Sequence, residues 1–162
     1  MLDKTLTSVE ALGLAIAQEV EAHKRYKLFA GRVQNPLVRE KFLSLAREER
    51  AHREILYQIL QQATRESKPP LPKKAPRLNR KWELNQPLHI ILQLAIQKEQ
   101  EAQKFYREAA QNALDPTGRR IFEYLAEFER GHERALQAEF DAVAKYPQWF
   151  EMEGPDIMLV GP

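Results

Sequence analysis

Two patterns of acidic residues and histidine recur in this sequence at an offset of 80 residues. Each pattern is a single Glu followed, 30 residues later, by Glu-x-x-His. The six residues are Glu19, Glu49, His52, Glu99, Glu129 and His132. On a helix, residues three apart lie on the same face, so each Glu-x-x-His can present a carboxylate and an imidazole together. Two helices that each carry one Glu and two that each carry Glu-x-x-His supply the ligands of a di-metal four-helix bundle.

The same offset relates the two halves of the chain as a whole. Residues 9–60 align with residues 89–140 without a gap, and 19 of the 52 positions are identical, including the six residues above. Unrelated sequences would share roughly three positions over this length. We therefore interpret the chain as an internal duplication in which each half supplies three candidate ligands.

Apolar residues around the candidate ligands recur at steps of three and four, which predicts four amphipathic helices. The ligands fall on the apolar seams, as Glu19 does between Ile16 and Tyr26. The seams also predict Ile59 and Phe140 as core residues. Capping residues mark three helix starts: Thr7 with Glu10, Asn35 before Pro36, and Asp115 before Pro116. Short turns within each half predict two antiparallel hairpins.

Four carboxylates in a predicted core are the strongest indication of function. An isolated buried carboxylate costs several kcal/mol, and four at one level also repel one another. Two divalent cations would balance the four negative charges with both histidines neutral. Carboxylates with one imidazole per ion and no thiolate suit iron or manganese, and zinc is compatible on affinity alone.

The candidate ligands divide into a shared pair and two outer sets. We expect Glu49 and Glu129 to bridge the two ions, because each begins a Glu-x-x-His motif. The single Glu of each half and one histidine would complete each outer set. The sequence does not assign either histidine to a particular ion.

Two tyrosines and one further histidine lie near the candidate ligands in sequence. Tyr26 and Tyr106 follow the single Glu of each half by seven residues and share its face. They are candidates for hydrogen bonds to ligand carboxylates or for electron transfer; the alternative is that they are ordinary core tyrosines. His23 has Gln103 as its counterpart in the second half. We interpret His23 as a residue that lines the pocket or is partly exposed, with a redox-dependent extra ligand as the alternative.

At 162 residues the chain is expected to form one domain. We place the bundle at residues 1–147, with a first hairpin at about 8–64, a crossover at 65–86 and a second hairpin at about 87–146. A crossover of about twenty extended residues reaches ~66 Å, whereas a 28-residue helix is ~42 Å long, so the crossover can run the full length of the bundle. Residues 148–162 form a C-terminal tail that we expect to pack on the bundle or on a neighbouring subunit, with a docking peptide as the alternative.

Composition excludes several other classes of protein. The chain has no Cys, which removes disulfides, thiolate nucleophiles, iron–sulfur ligation and Cys-rich zinc sites. The N-terminus lacks a signal-peptide pattern, and we expect a cytoplasmic location. The excess of basic residues lies in the Pro-rich crossover instead of on a helix face, so we expect no nucleic-acid partner. The longest uncharged stretch, residues 84–97, is too short and too polar to span a bilayer, so we expect no membrane partner.

Two segments of the sequence are similar to those of a known family. The first helix contains AIAQEVEA at residues 15–22, followed by Tyr26 and Phe29-Ala30, and the second contains EERAH at residues 48–52. These segments resemble the first two helices of rubrerythrins. The resemblance covers about residues 8–145 and is most specific in the pattern of six ligands.

Rubrerythrins are ferritin-like di-iron proteins that reduce hydrogen peroxide, and related members oxidise ferrous iron or activate dioxygen. The resemblance therefore implies an all-α, ferritin-like four-helix bundle with two iron ions. It also implies an external electron donor, such as a separate rubredoxin-like protein, and a homo-oligomer, with a dimer as the expected form.

The sequence departs from its relatives at three points. Rubrerythrins proper carry a rubredoxin-like domain whose iron is held by four Cys; this chain has no Cys, so its electrons must come from a separate donor. Many rubrerythrins place a second Glu three residues after the third-helix ligand, where this chain has Ala102, which weakens the case for peroxidase activity. Bacterioferritins bind haem through a helical Met, whereas Met1, Met152 and Met158 lie outside the predicted helices. We therefore expect no haem.

The sequence thus predicts a di-iron oxidoreductase of rubrerythrin type that reduces hydrogen peroxide or dioxygen with ferrous iron and an external electron donor. The first alternative is an iron-binding, ferroxidase or storage protein without a peroxidase cycle. The second is an inert bundle that holds two metal ions for stability and acts as a binding partner.

Overall fold

The computed structural model of the chain describes residues 7–71 and 86–148. These residues form four helices: α1 (Ser8–Ala30), α2 (Pro36–Thr64), α3 (Leu88–Asn112) and α4 (Pro116–Lys145). Most of the predicted crossover and all but the first residue of the predicted tail lie outside the described residues. None of the four helices combines the length and the apolar character that crossing a membrane requires.

The helix starts confirm the caps predicted from the sequence. The hydroxyl of Thr7 accepts a hydrogen bond from the backbone N–H of Glu10 at 3.2 Å, and the Glu10 carboxylate accepts one from the backbone N–H of Thr7 at 2.8 Å. This reciprocal pair is the capping box. Asp115 caps α4 by accepting from the backbone N–H of Gly118 at 2.7 Å, and Asn35 caps α2. These caps satisfy N–H groups that have no partner within the helix.

The four helices form two antiparallel hairpins, α1 with α2 and α3 with α4. The hairpins meet through α1 and α3, which also run antiparallel, because the start of α1 packs with the end of α3 in one core cluster. Helices α2 and α3 therefore point in the same direction. The end of α2 and the start of α3 consequently lie at opposite ends of the bundle, as the predicted long crossover requires.

The core consists of two apolar clusters, and every helix contributes to both. Cluster A contains Leu12, Ile16, Leu56, Leu60, Ala109, Ala110, Phe122 and Leu125 among its buried residues. Cluster B contains Phe29, Val38, Phe42, Leu45, Ile91, Leu92, Ala95 and Leu136 among its buried residues. On each helix, the stretch between the two clusters carries the candidate ligands. A layer of buried polar side chains therefore separates the two clusters.

Two seam residues are less buried than the sequence predicted. Ile59 and Phe140 are only half-buried, while Leu60 is buried. At 3.6 residues per turn, Leu60 lies about 40° around the helix from Leu56 and Ile59 about 60°, so Ile59 is turned further toward the flank. Phe140 follows the buried Leu136 by four residues and lies in the last two turns of α4. Ile59 and Phe140 pack against the edges of clusters A and B respectively.

Replacing the buried N-cap of α2 should destabilise the bundle. Asn35 is 1 % exposed, and its side-chain oxygen accepts hydrogen bonds from Leu37 and Val38 at 3.0 and 3.2 Å. Asn35→Ala would leave both N–H groups without that partner, and we expect a loss of about 1–2 kcal/mol in the free energy of unfolding, measured with urea. The exposed neighbour Gln34 provides the control, since Gln34→Ala should change little. Equal stability of the two variants would contradict this account of the cap.

Candidate metal centre

The six residues predicted from the sequence meet in the polar layer between clusters A and B. Each is at most 4 % exposed. They form two groups of four, and within each group the ligand atoms all lie within 4.8 Å of one another. The first group is Glu19, Glu49, His52 and Glu129, and the second is Glu49, Glu99, Glu129 and His132. Glu49 and Glu129 belong to both groups, which is the placement expected of bridging carboxylates.

The grouping also shows which histidine lies near which outer carboxylate, a question that the sequence left open. His52 falls in the group of Glu19, and its Nδ1 lies 3.2 Å from that carboxylate. His132 falls in the group of Glu99, and its Nδ1 lies 3.8 Å from that carboxylate. Each histidine is therefore grouped with the single Glu of its own hairpin, because the two helices of a hairpin pack face to face.

The carboxylate of Glu49 is buried without a hydrogen-bond partner among the described residues. Its two oxygens face the Nδ1 atoms of His52 and His132 at 3.4 and 3.3 Å, but neither contact has hydrogen-bond geometry. An unsatisfied buried carboxylate is costly. A cation bound between Glu49 and the surrounding carboxylates would satisfy it, so the donor set and the orphaned group both fit a metal site.

The surroundings shift the acidities of the carboxylates in opposite directions. Burial raises the pKa of Glu19 and of Glu99 well above its ordinary value, and the charge of Glu129 raises both further. Burial also opposes ionisation of Glu49, but the contacts with His132 and His52 outweigh burial and lower the pKa of Glu49 to about 2.

Both histidines hold their protons more strongly than usual. Burial alone would lower the pKa of each. Contacts with Glu19 and Glu49 instead raise the pKa of His52 to about 9, and contacts with Glu129 and Glu49 raise the pKa of His132 to about 12. The metal-free centre therefore holds protons on both histidines. Metal ions would have to displace these protons.

The two tyrosines connect the hairpins. The Tyr26 hydroxyl on α1 donates a hydrogen bond to Glu99 on α3, and the Tyr106 hydroxyl on α3 donates one to Glu19 on α1. Both side chains are fully buried, and their rings lie in the apolar clusters. Each tyrosine therefore packs in the core and also donates to a candidate ligand carboxylate, while a role in electron transfer stays a prediction.

The sequence analysis missed Glu48 as a neighbour of the centre. Nε2 of His132 lies 3.0 Å from a carboxylate oxygen of Glu48, which reaches across from the other hairpin. The sequence offered one weak signal, since Glu48 directly precedes Glu49. Its contact with His132 depends on how the two hairpins associate, which no local pattern reports.

His23 and Gln103 lie outside both ligand groups and stabilise their own hairpins. Nδ1 of the half-buried His23 lies 2.7 Å from the carbonyl oxygen of Ala46 on α2. The buried Gln103 donates to the carboxylate of Glu133 on α4 at 2.5 Å. The two repeat-related positions thus each join the helices of one hairpin, with different chemistry.

The comparison with protein families identifies the chain. Residues 10–140 match the family model of rubrerythrins. The chain belongs to the rubrerythrin family. The resemblance inferred from the first two helices therefore extends over most of the sequence.

Two solved structures have the same arrangement of helices. A hypothetical protein from Pyrococcus furiosus is 26 % identical, with 87 % of this chain and 92 % of that chain covered and a TM-score of 0.71. A protein from Thermotoga maritima, described as ferritin-like and diiron-carboxylate, is 20 % identical, with 84 % of this chain and 95 % of that chain covered and a TM-score of 0.68. A comparison with curated proteins found no match. This member of the rubrerythrin family thus has the ferritin-like four-helix fold that the sequence predicted.

The metal-free protein should become less stable as the pH rises from 6.5 to about 9. Above pH 6.5 the unfolded chain releases the His52 proton, whereas the folded chain keeps it until about pH 9, so raising the pH favours unfolding. The pKa of His132, raised to about 12, acts in the same direction. The measurement is the thermal midpoint of metal-free protein across this range at constant ionic strength.

Two controls isolate the centre as the cause. Metal-saturated protein should show a much flatter profile, because ions replace the protons. Glu19→Gln should make the metal-free profile shallower, because the contact with Glu19 is the largest one that raises the pKa of His52. A midpoint that rises with pH in the metal-free protein would contradict the assigned shifts.

Proposed function

We propose that this protein is a di-iron carboxylate oxidoreductase that reduces hydrogen peroxide or dioxygen with electrons from an external donor. The observation that carries the proposal is the pair of buried ligand groups that share Glu49 and Glu129, with the Glu49 oxygens left unsatisfied. Membership in the rubrerythrin family supports it, as does the description of the Thermotoga maritima protein as diiron-carboxylate.

In this proposal each of the six residues has a defined role. Glu49 and Glu129 would contribute to both ion positions, since both belong to both ligand groups. Glu19 and His52 would complete the donor set of one ion, and Glu99 and His132 that of the other. Two ferrous ions would neutralise the four carboxylates once the bound protons have left, which removes the cost of burying them.

When bound, two ferrous ions supply two electrons, which together with two protons reduce one hydrogen peroxide to two water molecules. The residues around the centre position its carboxylates and exclude water from it. Tyr26 and Tyr106 fix the outer carboxylates through hydrogen bonds from the opposite hairpin. Burial and the charge of Glu19 raise the pKa of Tyr106, so its hydroxyl stays protonated and remains a donor. Clusters A and B exclude water on both sides of the polar layer.

Further parts of the proposal rest on the family. The external electron donor, the assembly into a homo-oligomer such as a dimer, and a cytoplasmic location are inferred from the resemblance to rubrerythrins and from the signals in the sequence. The chain contains no Cys, so it holds no Cys-ligated iron of the kind found in the rubredoxin-like domain.

One observation favours a second candidate function. Ala102 occupies the position where many rubrerythrins carry a further Glu, and its half-buried methyl group packs against cluster A. The methyl group of Ala102 cannot ligate a metal ion, whereas the resemblance to rubrerythrins associates the further Glu with peroxidase activity. A ferroxidase or iron-storage protein that lacks this cycle is therefore the alternative.

Metal analysis tests the ligand assignment. Protein produced in iron-rich medium should contain about two ions per chain, and fewer than one in a normally folded protein would contradict the proposal. Glu129→Gln should lower the occupancy of both ions, because the residue bridges them, whereas Glu19→Gln should mainly lower one. Glu123→Gln is the matched control, since Glu123 is an exposed residue on the same helix as Glu129 and lies outside both ligand groups.

Stopped-flow spectroscopy of the ferrous protein separates the two candidate functions. Faster oxidation by hydrogen peroxide than by dioxygen supports the peroxidase, with about two electrons delivered per chain. Faster oxidation by dioxygen, with uptake of many irons per chain, would instead support ferroxidase or storage activity. If neither oxidant reacts with an iron-loaded chain, the redox part of the proposal is wrong.

A further inference from the structure

The outer ring nitrogens of the two candidate ligand histidines have different neighbours. In His132, Nδ1 faces the centre and Nε2 lies 3.0 Å from a carboxylate oxygen of Glu48. The other Glu48 oxygen is 3.5 Å from the hydroxyl of Ser44, and the Glu48 side chain is 43 % exposed. A carboxylate that accepts from the outer nitrogen of a ligand histidine fixes the ring orientation and makes the imidazole a stronger ligand.

His52 lacks an equivalent acceptor. The residue that corresponds to Glu48 at the 80-residue offset is Phe128. The Phe128 ring packs edge-on against the His52 ring, with centroids 4.3 Å apart. Among the described residues, the polar contacts of His52 are those of Nδ1 with Glu19 and Glu49. Beyond Phe128, His52 lines a mainly apolar cavity of about 310 Å³ between α2 and α4.

We propose that the two metal positions are unequal, and that Glu48 is the positioning residue that makes them so. The position of His132 fills first and holds its ion more tightly, and the position of His52 fills second and exchanges its ion more readily. This inference rests on the proposed di-metal site. It adds that a divalent first-row ion in limiting supply occupies one position per chain.

The expected difference in metal affinity between the two positions follows from the effect that losing such a contact has at other metal sites. Removing an outer partner of a ligand histidine lowers metal affinity by about 10–100-fold. Phe128 offers His52 an apolar edge and no acceptor, so His52 lacks that gain. Both positions otherwise have the same donor types, one outer Glu, one His and the two shared carboxylates. The outer contact is therefore the main chemical difference between them in the described residues.

Titration of the metal-free protein with cobalt(II), followed by visible absorption and calorimetry, tests the inference. The natural sequence should bind two ions in two steps whose affinities differ by about 10–100-fold. Glu48→Gln keeps the shape and an acceptor oxygen but removes the charge, and it should weaken the first step. Glu48→Leu removes the acceptor as well and should weaken the first step further, so that the two steps approach each other. Glu54→Gln is the control, since Glu54 is an exposed residue of α2 that pairs with Arg50.

The reciprocal variant and a spectroscopic readout distinguish positioning from general structural damage. Phe128→Glu places a carboxylate at the repeat-related position and should strengthen the second step. The ¹⁵N resonance of His132 Nε2 should shift in Glu48→Gln, while that of His52 stays in place. Two equal steps in the natural sequence, or no effect of the Glu48 variants, would overturn the inference and leave the di-metal site intact. If no cobalt binds at all, the proposed site fails together with this inference.

Discussion

Four carboxylates buried at one level of a helical bundle are the constraint on which the rest of this structure depends. Each would cost several kcal/mol if left charged and alone, and together they repel. In the metal-free chain, bound protons and contacts with the histidines offset this cost. The outer carboxylates of Glu19 and Glu99 have raised pKa values. The shared Glu49 has a lowered pKa and lies ionised between two imidazoles. The apolar clusters on both sides make this compensation necessary, because they keep out the water that would otherwise solvate the charges.

Several of the contacts that offset this cost join one hairpin to the other, so the geometry of the centre depends on the association of the hairpins. Tyr26 and Tyr106 each donate to a carboxylate of the opposite hairpin, and Glu48 reaches His132 in the same way. The two ligand groups share one carboxylate from each hairpin. A single hairpin would therefore expose half of a ligand set and leave its tyrosine without an acceptor. The geometry of the site therefore depends on how the two hairpins pack against each other.

The departures from internal symmetry carry more chemical information than the symmetry itself. The six candidate ligands are identical in kind in the two halves and predict two similar positions. Glu48 and Phe128, at corresponding places, give the two histidines different outer contacts. Such positions lie next to the ligands and do not alter the fold, so they are free to set which di-iron chemistry the bundle performs.

The sequence by itself determined the helices, their caps and the six candidate ligands. These follow from local rules: the period of the apolar residues, the hydrogen bonds of Thr7 and Asn35 to nearby N–H groups, and the three-residue spacing that puts a carboxylate and an imidazole on one face. Only the tertiary structure decided which histidine lies with which outer carboxylate, where the tyrosine hydroxyls point, and that Glu48 contacts His132. Those contacts join residues more than 30 positions apart. Their geometry depends on how two hairpins pack, and chain-local periodicity carries no record of that packing.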